Sequence, residues 1–297
     1  MTPGGAVTVL GSINMDTLLD VATFPAPGET IMALGAAKHA GGKGANQAIA
    51  AARAGVAVRM MGAVGDDADG QAMLALLTAE GIDTSAIVTH VALPTGAAIV
   101  TVDARGENQI VVLPGANAAA RVPDAVIGVR LAQLELPLDT VRAFLSAERH
   151  GALAILNAAP FRHEAAPLLA LADILVVNQV ELAGYSDGAA PPASTSAATD
   201  MAQALRCDAK QTVVVTLGAD GSVAVGPDGI HVTPAAPARV VDTTGAGDCF
   251  CGYLAAGLAA GLTLAAAIAD AHRAAAHAVA RKGAAPSMPR RRDLEAG

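Results

Sequence analysis

The sequence predicts an α/β fold: a doubly wound, mainly parallel sheet with helices on both faces and a small β-sheet carried beside it. Three observations predict it. Short apolar runs alternate with Ala-rich stretches of helical length, the βαβα order that builds a parallel sheet. The runs are continuously apolar, as strands covered on both faces are, and do not alternate with polar residues. The chain is 53% hydrophobic over 297 residues, enough to fill the core of one large domain.

Apolar runs at 7–10, 56–61, 129–134, 153–156, 174–177 and 212–216 are the expected main-sheet strands. The stretches 45–54, 70–80, 139–148, 164–171, 197–204, 250–260 and 264–281 are the expected helices. Their Ala content supports this, because Ala is the best intrinsic helix former. A second strand population, at 13–21, 30–34, 97–102 and 109–113, mixes polar with apolar residues, and 103–107 reads as the turn between its last two members. These strands fall in two blocks, about 13–39 and 95–113, and are expected to form a lid on a single domain spanning 1–297. Residues 188–196 (GAAPPASTS) are a surface loop, and no internal repeat is present.

Charge and composition exclude several functions. The net charge is −8 and aromatic residues make up only 2%, so basic patches and stacking platforms for nucleic acid are missing. The three cysteines, Cys207, Cys249 and Cys251, form no CxxC, which reads as a reduced, cytoplasmic protein without disulfides or a thiolate metal site. Residues 1–9 carry no basic stretch followed by an apolar run, so no secretory signal is expected. Residues 249–269 contain no charge and are long enough to span a bilayer, but they read as two soluble helices, the first ended by Gly261 and the second capped by Thr263.

In an open parallel sheet, ligands bind beyond the carboxyl ends of the strands. There the sequence places Glu135, Asn157, Asn178 with Glu181, and Thr216-Leu-Gly218, with Asp242 after a strand-like stretch at 239–241. Each alone is an ordinary helix N-cap; the series is a candidate crevice. The segment 242–248 (DTTGAGD) puts glycines just ahead of an apolar helix, where free N–H groups and the helix dipole cradle an anion. Asp248 sits inside that cradle, either as a general base for a hydroxyl or as a helix cap. Residues 41–46 (GGKGAN) open a second helix and set Lys43 and Asn46 on one face. On a strand, Asn14 and Asp16 of 11–16 (GSINMD) point the same way and suit the holding of sugar hydroxyls. Neither GxxxxGK[ST] nor GxGxxG occurs, so a different phosphate-transfer fold is required.

These residues together resemble the ribokinase (PfkB) family of carbohydrate kinases. The resemblance runs in order along nearly the whole chain: GSINMD at 11–16, FPAPGET at 24–30, GGKGANQA at 41–48, GDD at 65–67, GEN at 106–108 and GANA at 115–118. It continues through QLELPL at 133–138, NQVE at 178–181, TLGADG at 216–221, DTTGAGD at 242–248 and RKGAAPS at 281–287. The first two motifs and the Glu of QLELPL are similar to the ribose-phosphorylating branch.

The resemblance implies ATP-dependent phosphorylation of D-ribose at O5, giving D-ribose 5-phosphate and ADP. It implies Asp248 as the base, with Gly245, Ala246 and Gly247 as the anion hole. Asn14, Asp16, Gly42, Lys43, Asn46 and Glu135, with Asp248, would hold the sugar. Asn178 and Glu181 would organise Mg²⁺ through water. Thr216, Gly218, Gly221 and Gly247 would line the nucleotide, with His272 near the adenine. Asp242, Thr244, Ala278, Arg281, Gly283 and Ser287 would surround an activating K⁺. A homodimer through the lid is implied as well. The chain departs from the family at 157–160 (NAAP), which lacks the first Pro of an NPAP-like motif, and near Glu181, which lacks the extra acidic residues often found there. Another sugar or a nucleoside as acceptor, or a non-catalytic sugar or nucleotide sensor, remain the alternative readings.

Overall fold

The structure is a computed structural model that describes residues 5–122, 126–148 and 151–295; residues 1–4 of the expected signal-free N-terminus lie outside them. The chain opens with β1 (Ala6–Leu10), β2 (Asn14–Asp20), β3 (Gly35–Gly41), α1 (Lys43–Arg53), β4 (Ala57–Gly65), α2 (Ala68–Ala79) and β5 (Asp83–His90). A hairpin of β6 (Ala97–Val102) and β7 (Asn108–Leu113) follows. Next come β8 (Val129–Ala132), α3 (Leu138–Ser146), β9 (Ala154–Asn157), α4 (Ala166–Leu169), β10 (Ile174–Asn178), α5 (Gln179–Tyr185) and α6 (Thr195–Leu205). The rest is β11 (Thr212–Thr216), β12 (Ser222–Gly226), β13 (Gly229–Thr233), α7 (Ala246–Ala259), α8 (Leu264–Val279) and α9 (Arg291–Glu295).

The main sheet has nine strands in the order β13-β12-β11-β10-β9-β8-β1-β4-β5. All its pairings are parallel except β11–β12 and β12–β13. Successive strand residues feed opposite layers, which is why the runs read as continuously apolar. Val9, Leu131, Ile155, Val176 and Val214 pack toward α1, α7 and α8. Leu10, Ala132, Leu156, Val177 and Val215 pack toward α3, α4, α5 and α6. The chain winds outward from β1 through β4 to β5, then returns to β8 on the other side of β1. This reversal opens a crevice past the carboxyl ends of β1 and β8.

The second sheet has four strands in the order β3-β2-β6-β7. β2 pairs antiparallel with β3, from Asn14 opposite Gly41 to Asp20 opposite Gly35, and parallel with β6. Every residue of β7 is exposed.

The structure corrects several sequence expectations. Residues 30–34 are exposed coil, and the strand expected there is β3, whose Ala-Lys-His sequence lacks β-branched residues. The 164–171 helix shrinks to a 3₁₀ turn and the single turn α4, with Pro167 in its opening turn. Residues 239–241 are coil docked on α8 through Val241 N to Val279 O (2.7 Å), so Asp242 follows no strand. β5, β12 and β13 were not anticipated. The 249–269 stretch is two helices, as expected: Gly261 breaks the chain at φ +84°, and the Thr263 side chain accepts from Ala266 N. Among the described residues, no helix is long and apolar enough to cross a membrane.

Candidate active site

α7 begins where Gly245 takes the left-handed conformation at φ +75°, and a Cβ there would lie 2.7 Å from the Ala284 side chain. Ala246, Gly247 and Asp248 form the first turn. Ala246 N, expected in the anion hole, donates to Thr243 O at 3.2 Å. The amides of Gly247 and Asp248 have no partner among the described residues, and they point out of the positive end of a 14-residue helix.

Asp248 is buried and is not the helix cap, a position held by Gly245. Its carboxylate is held from α1: Asn46 Nδ2 donates to Oδ2 at 3.0 Å, and Gln47 Nε2 donates to Oδ1 at 2.9 Å. Burial pushes the Asp248 carboxyl above the ordinary Asp value, while the Lys43 charge and the two amide donors pull against it. Burial alone would lower the Lys43 ammonium, but the carboxylates of Asp248, Glu135 and Glu181 outweigh it and hold the group above its usual value. Lys43 is therefore a cation placed to stabilise the Asp248 carboxylate as an anion.

α1 starts at Gly42, whose φ of +87° brings the backbone against β1's exit; a Cβ there would lie 2.7 Å from Ser12 O and 2.9 Å from Asn14 N. This approach assembles the expected sugar residues. Glu135 Oε2 accepts from Ser12 Oγ at 2.5 Å and from Lys43 N at 3.1 Å. Asn14 Oδ1 accepts from Asn117 Nδ2 at 2.8 Å, while Asn117 Oδ1 accepts from Ile13 N at 2.9 Å. Asp16 Oδ1 accepts from Ala98 N at 2.8 Å, and burial raises its carboxyl above the usual range. Ser12, Gln47 and Asn117 each lie in quoted motifs, yet only three-dimensional contact shows that they orient the residues that were singled out.

Two cavities meet at α7. One of about 220 Å³ is lined by Lys43, Asn157, Asn178, Glu181, Thr216 and Asp248 among others. The second, of about 430 Å³, is lined by Thr216, Gly218, Gly221, the apolar run 235–238, Phe250 and His272. Thr216 and Gly247 line both, so one groove passes from the carboxylates, across the free amides, to an apolar slot. His272 Nε2 pairs with Ser222 Oγ at 2.8 Å, and its ring sits 5.0 Å from the Phe250 ring. Burial lowers the His272 imidazole to about 4, so the slot presents a neutral ring.

Asn178 and Glu181 form a reciprocal capping box at the start of α5. Asn178 N donates to Glu181 Oε2 and Glu181 N donates to Asn178 Oδ1, both at 2.8 Å. Burial raises the Glu181 carboxyl. Beside α7, Asp242 ties two loops together: Oδ1 accepts from Thr244 N at 2.9 Å and Oδ2 from Gly283 N at 2.8 Å. Burial pushes the Asp242 carboxyl up, but these donors outweigh it and leave it below the usual range. Asp242 N donates to Val279 O at 3.1 Å, next to Ala278. The carbonyl of Ala278 accepts from Arg281 N at 3.1 Å, and the buried Ser287 donates its hydroxyl to Ala284 O at 2.8 Å. Cys249 and Cys251 are buried thiols, and no cluster of three or more His, Cys, Asp or Glu side chains suited to a metal occurs among the described residues.

Residues 6–291 match the model of the pfkB family carbohydrate kinases. The chain is 36% identical over 299 residues to a ribokinase of Haemophilus influenzae, covering 97% of this chain and 96% of that one. Its fold superposes on the crystal structure of ribokinase from Cryptococcus neoformans in complex with ADP with a TM-score of 0.88 at 32% identity, covering 98% and 99% of the two chains. It also superposes on the structure of Arabidopsis thaliana ribokinase complexed with ribose and ATP, with a TM-score of 0.88 at 29% identity over 99% and 98% of the chains.

Proposed function

The chain belongs to the pfkB family of carbohydrate kinases, and from that premise we propose that it is a ribokinase, transferring the γ-phosphoryl group of ATP to O5 of D-ribose. The observation that carries the reading is the position of Asp248: a buried carboxylate at the mouth of α7, beside two unpartnered amides, where the two cavities join. Asp248 takes the proton of the sugar hydroxyl as that oxygen bonds to the γ-phosphorus, and the bond from phosphorus to the ADP oxygen breaks. The Gly247 and Asp248 amides face the charge that spreads over the transferring group, and Lys43 offsets it from the other side. Donors of this kind are each worth about 2.7–4 kcal/mol of barrier.

Asn14, Asp16, Gly42, Lys43, Asn46 and Glu135 form the sugar end. Their amides, carboxylates and backbone converge at the crevice below the second sheet, which serves as the lid over a bound sugar. Thr216, Gly218 and Gly221 form the nucleotide end, with His272 and Phe250 walling the apolar slot that takes the base. A closed lid excludes water and so limits idle hydrolysis of ATP.

Mg²⁺ fits beside Glu181. The capping box uses one oxygen, Oε2, so Oε1 is left to hold a hydrated ion with Asn178, and the ion supplies charge neutralisation at the phosphates. K⁺ fits the loops joined by Asp242, where Thr244, Ala278, Arg281, Gly283 and Ser287 offer only hydroxyl and backbone oxygens, the donor chemistry of a hard cation. The apolar residues Ile110, Val111 and Val112 of the exposed edge strand β7 support a homodimer through the lid, because long apolar edges are normally covered. Three unpaired cysteines support a cytoplasmic setting.

The test is ADP release with ATP and Mg²⁺ over a panel of sugars and nucleosides, in K⁺ and in Na⁺ alone. Highest turnover on D-ribose, stimulated by K⁺, is expected. Highest turnover on another acceptor overturns ribose and leaves the phosphoryl chemistry. No turnover from folded protein that binds ATP overturns the enzyme reading.

A further inference from the structure

Gln47 follows Asn46 on α1 and has no exposed surface, and no sugar, nucleotide or cation contact is assigned to it. Its side-chain amide is nevertheless fully used. Nε2 donates to Asp248 Oδ1 at 2.9 Å and to Asn157 Oδ1 at 3.0 Å, while Oε1 accepts from Gln133 Nε2 at 2.6 Å. Four segments therefore meet at one amide: α1, α7, the end of β9 and the exit from β8. Gly252 lets the helices close at this level, since a Cβ on it would lie 2.5 Å from Gln47 O.

The two ends of an amide have opposite character. Turned over, Gln47 would face a carboxylate oxygen with its own oxygen and the Gln133 amino group with its own amino group. The contact with the carboxylate repels whichever way Gln133 is turned, and in a buried site water does not relieve it. Asp248, whose carboxylate only accepts, therefore dictates which end of Gln47 it meets, and the fully buried Gln133 donates to the Gln47 oxygen left on the other side.

We propose that Gln47, braced by Gln133, is a positioning residue for Asp248, holding the carboxylate in the rotation from which it takes a hydroxyl proton. The inference rests on the reading of Asp248 as the base. The charged and titratable groups facing Asp248 are Lys43 from α1, Glu135 after β8, Glu181 from α5 and the thiols of Cys249 and Cys251 on its own helix. Only Lys43 among them favours the anion, so loss of the Gln47 donor leaves the base harder to ionise.

The experiment compares Gln47→Met, Gln133→Met, the double variant and Asp248→Asn, measuring kcat, KM for D-ribose and the pH dependence of kcat/KM. Gln47→Met is expected to lower kcat about 10–100-fold. Its KM should stay within about threefold, and the acid limb should move up by roughly one pH unit, the effect of losing one donor to a carboxylate. Gln133→Met should shift the limb the same way by less, and the double variant should be no worse than Gln47→Met, because both act through one contact. A Gln47→Met limb that superimposes on wild type, or losses that simply add in the double variant, overturns the proposal. If Gln47→Met does not fold, Gln133→Met carries the test, and a wild-type limb there overturns it. Turnover retained by Asp248→Asn sinks the base reading itself, whereas an inactive Asp248→Asn beside a wild-type Gln47→Met profile sinks only the positioning role.

Discussion

Asn46 Nδ2 and Asp248 Oδ2 meet at 3.0 Å although 202 positions separate them in the chain. The bond joins the first turns of α1 and α7, so the two Gly-led helix starts face each other as halves of one site. A residue expected to hold sugar thereby touches the residue expected to take the sugar's proton.

Burial of Asp248 costs stability, and the sign of that cost is testable. Its folded-state value lies above the ordinary 3.8, so the folded protein binds this proton more tightly than the unfolded chain does. Stability therefore falls as pH rises through the window between the two values. Asp248→Asn removes the penalty, and Asn46 Oδ1, which has no hydrogen-bond partner among the described residues, can turn to accept from the new amide. The variant's thermal midpoint should match or exceed wild type at pH 8, with the difference shrinking toward acid. A lower midpoint at pH 8 contradicts this account.

His272 acts in the opposite direction. Its folded value, about 4 against an ordinary 6.5, means that the folded state resists protonation, so stability is lost as pH falls through 6.5 toward 4. Replacing it with Gln keeps a polar partner for Ser222. The loss of stability between those pH values should then shrink by on the order of 2 kcal/mol, read from denaturant melts. An unchanged pH slope places the imidazole in water.

Gly245→Ala forces a side chain into the left-handed region and against Ala284. The conformational part alone costs about 1–2 kcal/mol. Turnover should fall further than stability, because the same turn aims the Gly247 and Asp248 amides. Wild-type turnover from the folded variant means that the turn does not set the anion site.

Asp242→Ala removes the acceptor for Thr244 N and Gly283 N. Thermal midpoints measured with KCl and with NaCl are the readout. The wild type should be stabilised by K⁺ and the variant should respond equally to both salts. K⁺-specific stabilisation that survives in the variant removes Asp242 from the cation loops.

The six strands β11-β10-β9-β8-β1-β4 of the main sheet are legible because continuous apolar runs and Ala-rich stretches carry the parallel pattern, and DTTGAGD and GGKGAN stand out as glycines set directly before an apolar helix. The misses have physical reasons. β3 is built from Ala, Lys and His, whose strand state is imposed by pairing with β2. β5 spends most of its side chains half-exposed at the sheet edge, so its pattern resembles a loop. Arg130 lies fully buried in a strand read as apolar, its guanidinium donating to the carbonyls of Phe144, Ala147 and Glu148. Gln47 and Asn117 were not singled out, since a residue that orients another side chain carries no local signal.

The most direct test of the account is ADP release by Asp248→Asn with D-ribose, ATP, Mg²⁺ and K⁺, on protein shown to be folded and to bind ATP. The predicted result is a fall in kcat on the order of 10²–10⁴-fold, the usual contribution of a positioned base. Turnover within about tenfold of wild type, below the low end of that range, would mean that the proton leaves the sugar by another route.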